Sequence, residues 1–407
     1  MKESSLKEYA RLIAVTGANV QKDQEVVLHA EPDQPEFVFL LTEECYKAGA
    51  SRVRVEWGFQ PLMELHTRYQ TLETLSQLAD WEVEKLRSTA RLLPAVIYLD
   101  SADPDGLANA DAEKMVRARQ AKYPIEKPFL DAMENRHQWC VAAVPGQAWA
   151  EKVFPALKGE EAVEKLWEAI LQASRAEKDP AEAWRAHNED LAGRCRYLNS
   201  LGLASLEYRA GNGTRLKVGL IPDALFLGGR ETTIDGCPFN PNIPSEEIFI
   251  SPMRGEAEGV VCATKPLSYR GQLIEDFHFR FQDGKVAELG AGKNQELLRR
   301  LVAMDEGAPF LGECALIPQN SPINRSGLLF YNTLFDENAS CHLALGAGFT
   351  NCIRGYQELS LEECRRRGIN DSMIHQDFMI GTEDLSVTGR TRDGRQVPIF
   401  RDGGWAF

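Results

Sequence analysis

The chain has 407 residues, 43% of them hydrophobic and 26% charged, with a formal net charge of −14. That length exceeds one typical core, so two domains are expected, and an acidic surface that repels phosphate backbones and anionic lipid argues against nucleic acid or a membrane as partner. Nine cysteines, an odd number without a CxxC pair, argue against a disulfide framework and for reduced thiols in a cytoplasmic protein.

The N-terminal segment reads as an amphipathic helix, because Lys2, Glu3, Lys7, Glu8 and Arg11 interrupt the apolar core that a secretion signal needs. No apolar run approaches the roughly 20 residues of a membrane span. Glu25 to Ala30 is strand-like, Phe37 to Ala48 is helical and closed by Gly49, and Arg52 to Trp57 is the next strand. A helix is expected from Leu75 to Thr89, then strands over Leu92 to Leu99 and Trp139 to Val144. Strands separated by helices predict an α/β domain with a parallel sheet flanked by helices. No GxGxxG or Walker-type loop marks it as nucleotide-binding.

Two helical segments, Glu160 to Ala176 and Pro180 to Ser200, read as a connecting pair. Beyond Leu201, hairpin signals stand at Gly211-Asn212-Gly213, Asp283-Gly284 and Asp393-Gly394, each between strand-like runs. The second half is therefore expected to be α+β and rich in antiparallel strands. The domains are placed at 1–200 and 201–407.

Candidate chemistry lies in the second half. Glu246 and Glu247 follow a Pro-Ser turn and precede Ile248-Phe249-Ile250. A helix cap at Ser245 is one reading; a strand is the other, with the two carboxylates on opposite faces. His375 and Asp377, at His-x-Asp spacing on a strand, would share one face about 7 Å apart. Their apolar flanks, Met373, Ile374, Phe378, Met379 and Ile380, call for a partner or a metal, since unpaired buried charge is costly. Glu313 follows Gly312 into hydrophobic company, and His342 follows the polar turn at Asp336-Glu337-Asn338. Glu247, Glu313, His342, His375 and Asp377 form the carboxylate and imidazole inventory that divalent ions prefer. Cys314 and Cys341 beside them read as small buried hydrophobes.

Asn242-Ile-Pro-Ser-Glu-Glu247, Gly312-Glu-Cys-Ala-Leu316, Leu329-Phe-Tyr-Asn-Thr-Leu-Phe-Asp-Glu-Asn-Ala-Ser-Cys-His-Leu-Ala-Leu-Gly346 and Ile374-His-Gln-Asp-Phe-Met-Ile-Gly381 occur in that order. Together they resemble the signature of the aminopeptidase T / aminopeptidase S family of metallo-aminopeptidases. The resemblance covers 205–390 and extends more weakly over the first half. It implies a cytoplasmic homodimer that releases N-terminal residues from short peptides. It also implies two divalent ions, Zn²⁺, Co²⁺ or Mn²⁺, held by Glu247, Glu313, His342, His375 and Asp377 in the C-terminal domain. Glu246 is left as neighbour or base, and it or one of the ligating acids would shuttle a proton to the leaving amine.

One position departs from the family pattern. Phe349 stands where the family usually has a Tyr, and a Phe donates no hydrogen bond to an oxyanion. The resemblance therefore leaves room for recruitment of Tyr356, for another metal-dependent amide hydrolase, or for a catalytically weakened binding homologue. Arg254 and Lys265 are expected to be surface cations, with binding of a substrate carboxylate as the alternative. His29, His66, His137, His187 and His278 are expected to be structural or exposed.

Overall fold

Four short runs rich in β-branched and aromatic residues build the first sheet: Glu25–Ala30 (β1), Arg52–Trp57 (β2), Ala95–Asp100 (β3) and Trp139–Ala143 (β4). In this computed structural model, which describes residues 1–407, they lie in the order β4-β3-β1-β2 with every pair parallel. The short strand Asn242–Ile243 extends the sheet beyond β4. Parallel neighbours need crossover connections, which helices Pro35–Ala48, Asp80–Leu92 and Ala112–Met133 supply. The first of these ends at Gly49, whose φ of 115° carries no side-chain penalty in glycine.

Two helical expectations need correction. The single helix from Leu75 to Thr89 is instead two, Leu72–Ser76 and Asp80–Leu92. Gln77 and Ala79 between them are extended, with ψ of 147° and 155°. The helix Ala112–Met133 has no counterpart in the sequence reading. Pro124 and Pro128 lie inside it, and proline normally interrupts a helical pattern. The core of this unit is led by Tyr9, Phe37 and Trp167, whose ring centroids stand 5.3 to 6.3 Å apart. The buried Tyr9 hydroxyl donates to the Ala143 carbonyl at 3.1 Å, so the ring is buried without an orphaned polar group.

The chain divides into two units. The first comprises Met1–Asn188, Gly229–Ser245 and Arg270–Gln272; the second comprises Glu189–Gly228, Glu246–Tyr269 and Leu273–Phe407. No helix is long and apolar enough to cross a membrane.

The second unit holds two antiparallel sheets. One has eight strands in the order 285–290, 278–282, 252–262, 215–220, 203–209, 386–391, 396–401, 404–405. The three expected hairpin turns each join neighbouring strands of this sheet. At one of them Asp283 and Gly284 both take positive φ, 51° and 78°, as tight hairpin turns require.

The other sheet consists of Leu227–Gly228 (β5), Ile248–Ile250 (β6), Leu311–Leu316 (β7), His342–Gly346 (β8) and His375–Met379 (β9). Their order is β9-β8-β7-β6-β5, antiparallel throughout. Side chains alternate between its faces. Ile248, Ile250, Cys314, Leu316, Leu343, Leu345 and Phe378 share one core with Leu206, Val218 and Phe279 of the eight-stranded sheet. The rings of Phe378 and Phe279 meet edge to face at 5.1 Å. Each large side chain so buried contributes about 1.5–3 kcal/mol. The opposite face carries a smaller apolar cluster of Phe249, Ala315, Ile317 and Cys352, which leaves room beside it for polar groups.

Candidate metal centre

The register of β6 to β9 decides what the opposite face presents. Phe249 pairs with Ala315, Ala315 with His342, and His342 with Met379, forming one row across the sheet. The next row runs Glu313, Ala344, Asp377, and the one after it pairs Gly346 with His375. Glu247 lies two residues before Phe249, at the entrance to β6. The strand reading of Ile248-Phe249-Ile250 therefore prevails over a helix cap, but Glu246 and Glu247 lie just before the strand, so its alternation does not send them to opposite faces.

Glu313 reaches this face through a local irregularity. Leu311 pairs with Leu345 but Glu313 pairs with Ala344, so Gly312 is an extra residue in β7. A bulge of this kind shifts the alternation by one. Leu311 consequently joins the apolar core, whereas Glu313, two residues later, stands among the polar groups.

The five side chains converge. Oxygens of Glu247 and Glu313 and a ring nitrogen of His342 lie within 4.8 Å of one another, and so do ligand atoms of Glu313, His375 and Asp377. Glu313 belongs to both groups. His342 Nε2 stands 3.4 Å from Glu247, 3.8 Å from Asp377 and 4.0 Å from Glu313. His375 Nε2 stands 3.1 Å from Glu313 and 3.3 Å from Asp377. Glu247, Glu313, His342 and Asp377 are buried, while the His375 side chain keeps 27% exposure, so the cluster opens towards solvent on its side.

Both rings are turned by backbone carbonyls. His342 Nδ1 donates to the Glu337 carbonyl at 2.8 Å and His375 Nδ1 to the Ala347 carbonyl at 2.7 Å. Each Nε2 is thereby directed at the carboxylates, an arrangement typical of imidazoles that ligate a metal. The electrostatics follow from crowding. Burial alone would depress His375, but Asp377 and Glu313 outweigh it and hold the imidazole well above its ordinary value. Burial would raise Asp377, yet the neighbouring His375 and His342 hold it below the usual carboxylate range.

The residues fit a divalent cation. Asp377 Oδ1 is buried with no well-aligned hydrogen bond and only the two imidazoles beside it, at 3.3 and 3.8 Å. Three buried acids gathered on two imidazoles call for further positive charge. The donors are carboxylate oxygens and imidazole nitrogens, suited to two-valent ions of borderline hardness. Cys314 and Cys341 project into the apolar core, and burial pushes both thiols up to about 12. They are not available as thiolates at neutral pH.

The remaining candidates are placed as follows. Glu246 is buried, and its backbone N–H donates to Asn338 Oδ1 at 2.7 Å. The Phe349 ring lies 4.9 Å from that of His375. Tyr356 packs beside Ile221, Ile353, Cys364 and Ile369, a separate apolar cluster. Arg254 pairs with Glu306 at 2.9 Å and lies over the Phe310 ring. Lys265 is half-buried, and burial lowers its ammonium despite the opposing charge of Asp336. The histidines at 29, 66, 137, 187 and 278 lie outside the cluster.

One residue was missed. Glu337 is buried, and its carboxyl is held well above its ordinary value by burial and by the charges of Asp377, Glu247 and Glu313. It is a fourth carboxylate at this centre. The only hint in the sequence was its place in the polar turn five residues before His342.

Residues 2–405 match the family model described as thermophilic metalloprotease (M29). Aminopeptidase T of Thermus thermophilus is 40% identical over 403 residues, covering 98% of each chain. Aminopeptidase 2 of Geobacillus stearothermophilus is 39% identical over 407 residues, covering 100% of this chain and 98% of its own. The solved structure of wild-type AmpT from Thermus thermophilus superposes with a TM-score of 0.88 at 39% identity, covering 100% of both chains. The chain with this cluster of carboxylates and imidazoles belongs to the M29 family of metalloproteases.

Proposed function

We propose that this protein is a metal-dependent aminopeptidase that releases N-terminal residues from short peptides, with residues 201–407 carrying the catalytic site. The observation that carries the reading is the double membership of Glu313, which joins Glu247 and His342 on one side and His375 and Asp377 on the other. A carboxylate with two oxygens serves two adjacent cations, so Glu247, Glu313 and His342 would hold one ion and Glu313, His375 and Asp377 the second. Glu337 adds a further buried carboxylate beside them.

When bound, such ions supply Lewis-acid polarisation of a carbonyl and lower the pKa of water towards neutrality. The chain supplies the rest. The concentration of carboxylates suits the free α-ammonium of a peptide, which selects an N-terminus over an internal bond. Glu246 is the residue proposed to carry the proton to the leaving amine. Carbonyls of Glu337 and Ala347 keep both imidazoles in the ligating orientation.

The test is direct. Metal-free protein is given Zn²⁺, Co²⁺ or Mn²⁺ and assayed with amino-acid p-nitroanilides and dipeptides. Restored release of the N-terminal residue is expected; its absence with every metal and substrate overturns the reading. Phe349 supports a second one, a metal-dependent amide hydrolase of other substrates or a weakened binding homologue, because the side chain offers no hydroxyl. A substrate screen separates the amide hydrolase, and metal content the weakened homologue, since a degenerate site takes up less than one ion per chain. A cytoplasmic homodimer completes the proposal, and light scattering on the purified protein tests the dimer.

A further inference from the structure

Gly312 sits inside a β-strand, where glycine weakens the ladder and calls for a reason. A Cβ built there would stand 2.1 Å from the Ala347 carbonyl oxygen, 2.6 Å from the Ala347 carbonyl carbon and 2.5 Å from the Gly346 oxygen. These are backbone atoms, and the segment that carries them is pinned. Ala347 N–H donates to the Ile374 carbonyl at 2.7 Å and Gly348 N–H to the Asn370 carbonyl at 2.8 Å. Asn370 Nδ2 donates to the Gly346 carbonyl at 2.6 Å. Gly346 itself has φ 102°, and a Cβ there would meet the Ile374 oxygen at 2.1 Å. The segment cannot retreat from a side chain at 312 without giving up these bonds.

The crowded oxygen is the one that turns His375: the Ala347 carbonyl accepts from its Nδ1 at 2.7 Å. We infer that Gly312 is a positioning residue for the metal centre, its missing side chain leaving the space in which the Ala347 carbonyl stands and orients His375. The same residue is the bulge that brings Glu313 onto the ligand face. One glycine thus sets two donors of the Glu313, His375, Asp377 group. A substitution at 312 keeps the extra residue and so keeps Glu313 on the ligand face; what it disturbs is the Ala347 carbonyl and, through it, His375. The inference rests on the metal reading proposed above.

The experiment is a Co²⁺ titration of the metal-free full-length protein, followed by visible absorption and by calorimetry. Wild type is compared with Gly312→Ala, His375→Ala and His342→Ala. Outer-shell changes weaken metal binding about 10–100-fold, and a loss of that size is expected in Gly312→Ala, with a spectrum that follows His375→Ala and not His342→Ala. A merely structural defect would disturb both sides alike. Wild-type affinity in a folded Gly312→Ala protein, or a spectrum that follows His342→Ala, overturns the inference. Should far-ultraviolet circular dichroism show Gly312→Ala unfolded, Asn370→Ala, which removes the side-chain bond to Gly346 that holds this segment against residue 312, is read by the same comparison. If wild type itself takes up no Co²⁺, the metal function falls and the role of Gly312 with it. If wild type and Gly312→Ala bind equally well while His375→Ala does not, only the role of Gly312 falls.

Discussion

The ring of Phe349 lies against the ring of His375, centroids 4.9 Å apart and planes inclined at 52°. It also meets Phe249 edge-on at 5.2 Å. An aromatic ring without a hydroxyl therefore packs against the ligand on the exposed side of the cluster. Phe349→Tyr is expected to raise turnover of a peptide substrate. Loss of one donor to an oxyanion typically costs about 10²–10³ in rate, so a gain of at least about tenfold in kcat is the outcome to look for. An unchanged kcat would show that the missing hydroxyl does not limit the reaction.

Phe349 is held by its backbone N–H, which donates to Ser251 Oγ at 2.7 Å, and Ser251 is buried. Ser251→Ala leaves that donor without a partner in a dry setting. A loss of about 1–3 kcal/mol is expected, measured by denaturant unfolding, and Ser251→Thr should recover part of it.

Glu313 belongs to both ligand groups, so Glu313→Gln should damage metal binding more than His375→Ala, which touches one group. Losses beyond the 10–100-fold range of outer-shell changes are expected for either. Calorimetric titration with Zn²⁺ measures both. Equal retention of metal by the Gln variant would remove Glu313 from the centre.

Cys314 and Cys341 should resist alkylation in the folded protein at pH 8, because burial holds both thiols near 12 and the thiolate is the reactive form. Both should label once the chain is unfolded in guanidinium. Mass spectrometry of the labelled peptides settles the comparison. Rapid labelling of either in the native state would contradict its place in the core.

His137 gives the first unit a dependence on pH. Burial lowers its pKa from the ordinary 6.5, although the Met133 carbonyl opposes the shift. A folded-state pKa below the unfolded one means that the unfolded chain takes up the proton more readily. The stability concerned is present above pH 6.5 and is lost as pH falls through that value towards the folded pKa. Protection factors of the amides across 112–133, with the slower intrinsic exchange at low pH divided out, should therefore fall between pH 7 and 5, and His137→Gln should flatten the change.

How much of this was legible depended on how local the cause was. The strands at Glu25 and Arg52 and the hairpin at Asp283-Gly284 declare themselves, since alternation and turn chemistry act over a few residues. His375 and Asp377 were readable as one face of a strand for the same reason. Glu313 is different. Its orientation comes from the bulge at Gly312, which exists only in the pairing of β7 with β8. Glu337 is defined by charges from β6, β7 and β9, and nothing in its own neighbourhood announces them. The helix Ala112–Met133 was hidden by Pro124 and Pro128. No local signal marks the return of Gly229–Ser245 to the first unit, because that membership is a matter of long-range contact.

In the sheet of β5 to β9, the main core packs on one face, while the ligands share the other with the smaller cluster around Phe249 and Ala315. Replacing a ligand on one face therefore leaves the hydrophobic interlock on the other intact. Such a frame tolerates drift in its donor atoms at little folding cost, so selection is able to retune the metal, the base or the substrate one residue at a time. The Phe at position 349 has the form of such a step: a change confined to the reactive side of a sheet whose other side continues to hold the molecule together.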